Sequence, residues 1–129
     1  MKCIILAFTV LSISATSFAQ HWVKPTTAEM KAERQALSLK TTELENLLSK
    51  RQASKAEESA GNLLSTMKSG VAQTRRLAET SGAQKETLIR RMLELEQMVG
   101  DFMKLSSDVT KNGNQLVQTA KAFQAKLPN

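Results

Sequence analysis

The chain has one cysteine (Cys3), one histidine (His21), no tyrosine and two prolines, Pro25 and Pro128. Each shortage excludes something. A lone thiol forms no internal disulfide, so stability has to come from apolar packing. A Ser-His-Asp or Cys-His site would have to use His21, which lies in a short leader where nothing holds it in place. No Glu-x-x-His pair is present for a di-iron bundle and no Cys-x-x-Cys-His for a c-type haem. A Met/His haem site fails because the one histidine precedes the helical region. Aromatic residues make up 4% of the chain, too few to stack bases, and no basic run is dense enough for nucleic acid. Between Pro25 and Pro128 there is no proline, and β-branched residues never alternate as a half-buried strand requires.

What is present begins with an export signal. Lys2 is a short positive start, 3–13 is an apolar run too short for a lasting membrane span, and Ser17-Phe18-Ala19 fits a small-x-small cleavage rule. The expectation is a signal peptide over 1–19, cut before Gln20, which takes Cys3 with it. His21 would then stand second in the mature chain. An amino-terminal copper site needs the free amine, and a terminal glutamine readily cyclises, so the expectation is no metal and no cofactor. The chain carries a net charge of +6 and stays basic once Lys2 leaves with the signal, which favours acidic proteins, an acidic wall polymer or an anionic membrane surface as partners and leaves nucleic acid out.

Ala, Leu, Lys, Glu, Gln and Met dominate the rest, which predicts an all-α chain. Thr26-Thr27-Ala28-Glu29 has capping-box spacing just after Pro25, and Ser54 to Glu57 and Ser81 to Gln84 repeat it. Leu88, Leu95, Phe102, Val109, Leu116 and Phe123 recur every seven residues, interleaved with Met92, Val99, Ser106, Gly113, Ala120 and Leu127. This is the seam of packed helices, and Ala60, Leu64, Met67, Val71, Thr74, Ala78 and Ser81 continue its phase upstream. Two layouts follow: an antiparallel hairpin of two long helices, or a three- or four-helix bundle with coiled-coil-like heptad packing. In the second, helices cover 27–52, 55–80 and 83–111, and a shorter one covers 115–127. Gly82 marks a fold-back in either case, and Asn112-Gly113-Asn114 a weaker break. The predicted organisation is signal peptide 1–19, leader 20–25, helical region 26–111 and basic amphipathic C-terminal helix 112–129. Thr41, Ala53, Ala56, Ala60 and Thr74 are small residues for a seam, so self-association or a partner would add buried area.

Among possible site residues, adjacent carboxylates such as Glu57 and Glu58 diverge by about 100° on a helix and read as a solvated face. Arg75-Arg76 and Arg90-Arg91 flank the fold-back, which would gather four guanidinium groups suited to carboxylates or phosphates. Lys111, Lys121 and Lys126 with Leu116 and Phe123 make the last segment a candidate docking helix, and Trp22 a candidate anchor. These features predict an exported, non-catalytic helical interaction module of the periplasm or cell surface. Its expected role is adaptor or structural component of a secretion- or conjugation-type envelope apparatus. A periplasmic holdase chaperone is the alternative, and a secreted lipid- or membrane-binding bundle the third reading.

Overall fold

The structure is a computed structural model that describes residues 22–128. The signal segment 1–19, its cleavage site before Gln20, and His21 lie outside the described residues. Among the described residues four α-helices follow one another: α1 (Thr27–Ser49), α2 (Ala53–Glu79), α3 (Lys85–Leu105) and α4 (Val109–Lys126). Single 3-10 turns, Gly82–Gln84 and Ser106–Asp108, precede α3 and α4. Among the described residues there is no strand.

Consecutive helices pack against one another, and α4 closes the bundle against α1. Cross-links between helices give the direction of each pair. The Ser69 hydroxyl late in α2 donates to Glu33 early in α1, and Arg34 early in α1 donates to the Leu127 and Pro128 carbonyls past the end of α4. Arg91 early in α3 donates to the Lys126 carbonyl at the end of α4, and the short turn after Glu79 folds α3 back along α2, so each neighbour runs antiparallel to the last. On one diagonal α2 touches α4, while on the other α1 and α3 bring no Cα atoms within 8 Å. Glycine allows the close diagonal. A Cβ at Gly70 would stand 3.0 Å from the Phe123 ring. At the α1–α4 contact, a Cβ at Gly113 would stand 2.9 Å from both Leu48 methyls.

Most of the expected seam positions are buried. Leu88, Met92, Leu95, Val99 and Phe102 on α3 face inward, as do Val109, Leu116, Ala120 and Phe123 on α4, joined by Leu127 just beyond it. They meet Met30, Leu37 and Leu44 of α1 and Ala56, Ala60, Leu63 and Met67 of α2. Other positions differ from expectation, and Val71, Ser81 and Ser106 are only half-buried. On α2 it is Leu63 that is fully buried, with Leu64 only partly so. Ala53 is exposed, whereas Thr41 and Thr74 are buried. Their hydroxyls donate back to the carbonyls of Leu37 and Gly70, which satisfies them without a partner helix.

The helix ends show which local signals the fold uses. Thr26 and Glu29 form the expected capping box, with both reciprocal bonds in place. The second box does not act, because α2 begins at Ala53 behind Gln52 and leaves Ser54 inside its first turn. Nor does the third, because the Ser81 hydroxyl donates back to the Leu77 carbonyl instead of capping forward. Gly82 nevertheless turns the chain there with φ +59. The largest correction concerns the third helix, which was expected to run to 111 but ends at Leu105. The Ser106 and Ser107 hydroxyls close the last carbonyls of α3, at Met103 and Lys104. Asp108 accepts from the Lys111 amide and caps α4. Asn112 and Gly113 are therefore helical, and the Asn112 side chain donates back across the turn to the Leu105 carbonyl.

Candidate functional site

The bundle has two unlike ends. At one lie the leader, the α2–α3 turn and the tail. Here the expected arginine cluster does not assemble, because each guanidinium has its own partner. Arg75 stacks over the Trp22 ring at 5.8 Å, and Arg76 donates to the Val23 carbonyl and the Gln73 side chain. Arg90 pairs with Glu86 one turn back on its own helix. Arg91 donates to the Lys126 carbonyl. Arg34 joins it by donating to the carbonyls of Leu127 and Pro128. Cations at a helix C-terminus meet the negative end of the macrodipole and its open carbonyls, so Arg34 and Arg91 act as a charged cap on α4. Pro25 and Pro128 are both buried and border the same end cavity of about 370 Å³. Arg75 and Arg76 hold the leader on the bundle, and Arg34 and Arg91 hold the tail.

The remaining predicted residues divide in the same way. Leu116 and Phe123 are fully buried in the core and present nothing to a partner, which corrects their assignment as docking residues. The heptad phase that marked them is an inward-facing stripe of this bundle. Lys121 and Lys126 are tied to Glu45 and Glu94 of neighbouring helices. Trp22 keeps 39% of its surface exposed beside Arg75. Lys111 alone among the three lysines enters none of the ion pairs formed by the described residues.

Lys111 lies at the opposite end, which sequence reasoning passed over. A half-open cleft of about 490 Å³ lies between the α1–α2 turn and the start of α4. Leu47, Leu48, Ala53 and Ala56 supply apolar walls, Arg51 and Lys111 are its two cations, and no carboxylate lines it. Gly113 lets Leu48 approach α4 closely beside it. The α1–α2 turn is a Schellman arrangement, in which the Gln52 amide donates to Leu47 and the Arg51 amide to Leu48. Arg51 occupies its left-handed position with φ +56, where glycine is usual. The available signal was the polar interruption Lys50-Arg51-Gln52 after Leu47-Leu48. It was outweighed by the expectation that the first helix continued to 52.

Among the described residues no group of three or more His, Cys, Asp or Glu side chains is placed to hold a metal ion. No described helix is long and apolar enough to cross a membrane. Of the carboxylates, Glu29 is lowered from its ordinary value of 4.5, chiefly by the hydrogen bond it accepts from the Thr26 amide. That is a capping effect on an exposed group. No protein-family model, curated protein or solved structure matches this chain.

Proposed function

We propose that this protein is an exported, non-catalytic helical interaction module, an adaptor or structural component of an envelope apparatus of the secretion or conjugation type. The observation that carries the reading is the apolar cleft with its two cations, on a bundle whose own core is already closed. Apolar walls supply area to a partner side chain, and unpaired cations at the same opening orient it. Export rests on the pattern of residues 1–19.

The distribution of apolar surface favours an adaptor over a holdase. A holdase needs a broad apolar surface for unfolded clients. Here the large exposed apolar side chains on the helices are Leu39 on α1 and Leu93 and Met103 on α3, a scatter ordinary for a folded surface. A lipid-binding bundle would have to open to offer its inward stripe to acyl chains. Crosslinking in the native host, followed by mass spectrometry of the attached proteins, tests the reading. One or two stoichiometric envelope proteins are expected. A broad, substoichiometric set of unfolded or outer-membrane clients would replace the adaptor with a chaperone, and a gain of helicity on liposomes would support the lipid reading.

A further inference from the structure

We propose that the cleft between the α1–α2 turn and the start of α4 binds an acidic amphipathic segment of a partner protein. An apolar side chain of that segment enters between Leu47, Leu48, Ala53 and Ala56, and its carboxylates meet Arg51 and Lys111. The inference rests on the interaction-module reading and names the partner's chemistry and the place where it docks.

Charge complementarity identifies the occupant. The lining carries two cations and no acid. Neither cation takes part in the ion pairs formed among the described residues, whereas Lys85, Arg90, Lys121 and Lys126 all do. Lys50 and Lys55 flank the same turn and are likewise exposed. An apolar wall beside unpaired guanidinium and ammonium groups recognises an apolar anchor next to a carboxylate, and repels a basic peptide. A second copy of this chain is a poor occupant, because each copy is net basic even without Lys2 of the signal segment. A flat bilayer does not reach into a concave opening at the end of a bundle.

The backbone at Arg51 points the same way. A non-glycine residue in the left-handed region carries a steric cost that glycine avoids. The chain nevertheless holds a long cation there, at the mouth of the cleft. If Arg51 serves docking, its replacement by glycine separates stability from binding.

The test uses the purified protein and a synthetic amphipathic helix of leucine and glutamate, followed by backbone amide NMR. Shifts confined to 47–56 and 110–114 are expected. Arg51→Gly combined with Lys111→Ala is expected to weaken binding about tenfold or more, with a melting temperature equal to or above the parent's. Four results would overturn the proposal: no binding, shifts centred elsewhere, equal binding of the lysine-for-glutamate peptide, or displacement of the peptide by laurate with the same residues shifting. The last identifies a site for a fatty carboxylate. Any of these alongside a stoichiometric envelope crosslink removes the cleft as the place where the partner docks and leaves the interaction-module reading standing. Without such a crosslink, both fall.

Discussion

At the scale of single residues, four helical glycines with different surroundings separate helix propensity from packing. Gly61 on α2 and Gly100 on α3 have nothing within 4 Å of an added Cβ. Gly61→Ala and Gly100→Ala are therefore expected to stabilise the bundle by about 0.5–1 kcal/mol each, the ordinary helix preference for alanine. Gly70 faces the fully buried Phe123 ring, which has little room to retreat. Gly70→Ala is expected to cost about 1 kcal/mol net, because overpacking outweighs the same propensity gain. Chemical denaturation of the three variants checks this, and a gain at Gly70 would mean that the α2–α4 diagonal is looser than its geometry. Gly113 is an intermediate case, because the Leu48 side chain it meets is only partly buried and has freedom to turn. Ser59 is the opposite kind of residue: its hydroxyl is buried with no hydrogen-bond partner. Ser59→Ala removes that desolvation cost and is expected to stabilise by about 1 kcal/mol. A loss of stability would show that the hydroxyl has a partner such as a buried water. Neither the crowding at Gly70 nor the orphaned hydroxyl was legible in the chain, since both depend on what a neighbouring helix brings.

At the scale of elements, three capping-box patterns were legible and one formed. The pattern at Thr26 follows Pro25, which keeps the preceding residue out of the helix, so the cap has no competitor. Ser54 loses to a local competitor, because the Schellman turn at Lys50–Gln52 starts α2 two residues earlier than a cap at Ser54 would. Thr26→Ala is expected to cost about 1 kcal/mol, read as a lower midpoint in thermal or urea unfolding. Glu29 adds a pH dependence whose sign follows from its lowered folded-state pKa. The folded state binds its proton less readily than the unfolded state does. The stabilisation is therefore present above the ordinary carboxylate value of 4.5 and is lost as pH falls through the lowered one. The deficit of Glu29→Gln relative to the parent is expected at neutral pH and should vanish in acid. A deficit independent of pH would assign it to geometry alone. The turn at Ser106–Asp108 was written in the sequence as a polar triplet with an acid three residues before Lys111. It was hidden because the seven-residue phase runs through it without a slip. Both helices place their inward stripe on that phase, so counting along the chain does not show that the direction reverses.

At the scale of the whole molecule, the same stripe decides what Leu116 and Phe123 do. Read on an isolated helix, they form the apolar face of a docking segment. In the bundle both are fully enclosed. Phe123→Ala is expected to cost about 3–5 kcal/mol, a large part of the 5–15 kcal/mol typical of a small domain. Its effect on any partner should follow from unfolding, and a folded variant that had lost binding would restore the docking role. The basic residues redistribute for a similar reason. Arginines adjacent in sequence point to different neighbours on a helix, so Arg75 and Arg76 meet the leader while Arg90 and Arg91 divide between their own helix and the tail.

Composition and periodicity were enough for the all-α class, the seam residues of α3 and α4, the first cap and the reversal at Gly82, because these depend on interactions within a few turns of one helix. The choice of a four-helix bundle over a hairpin, the reversal at Ser106–Asp108, the dispersal of the arginines and the cleft at Arg51 needed the tertiary structure. Each depends on which residues distant in sequence are brought together, and a repeat along one chain is the same whether its neighbour is another helix, another protein or water.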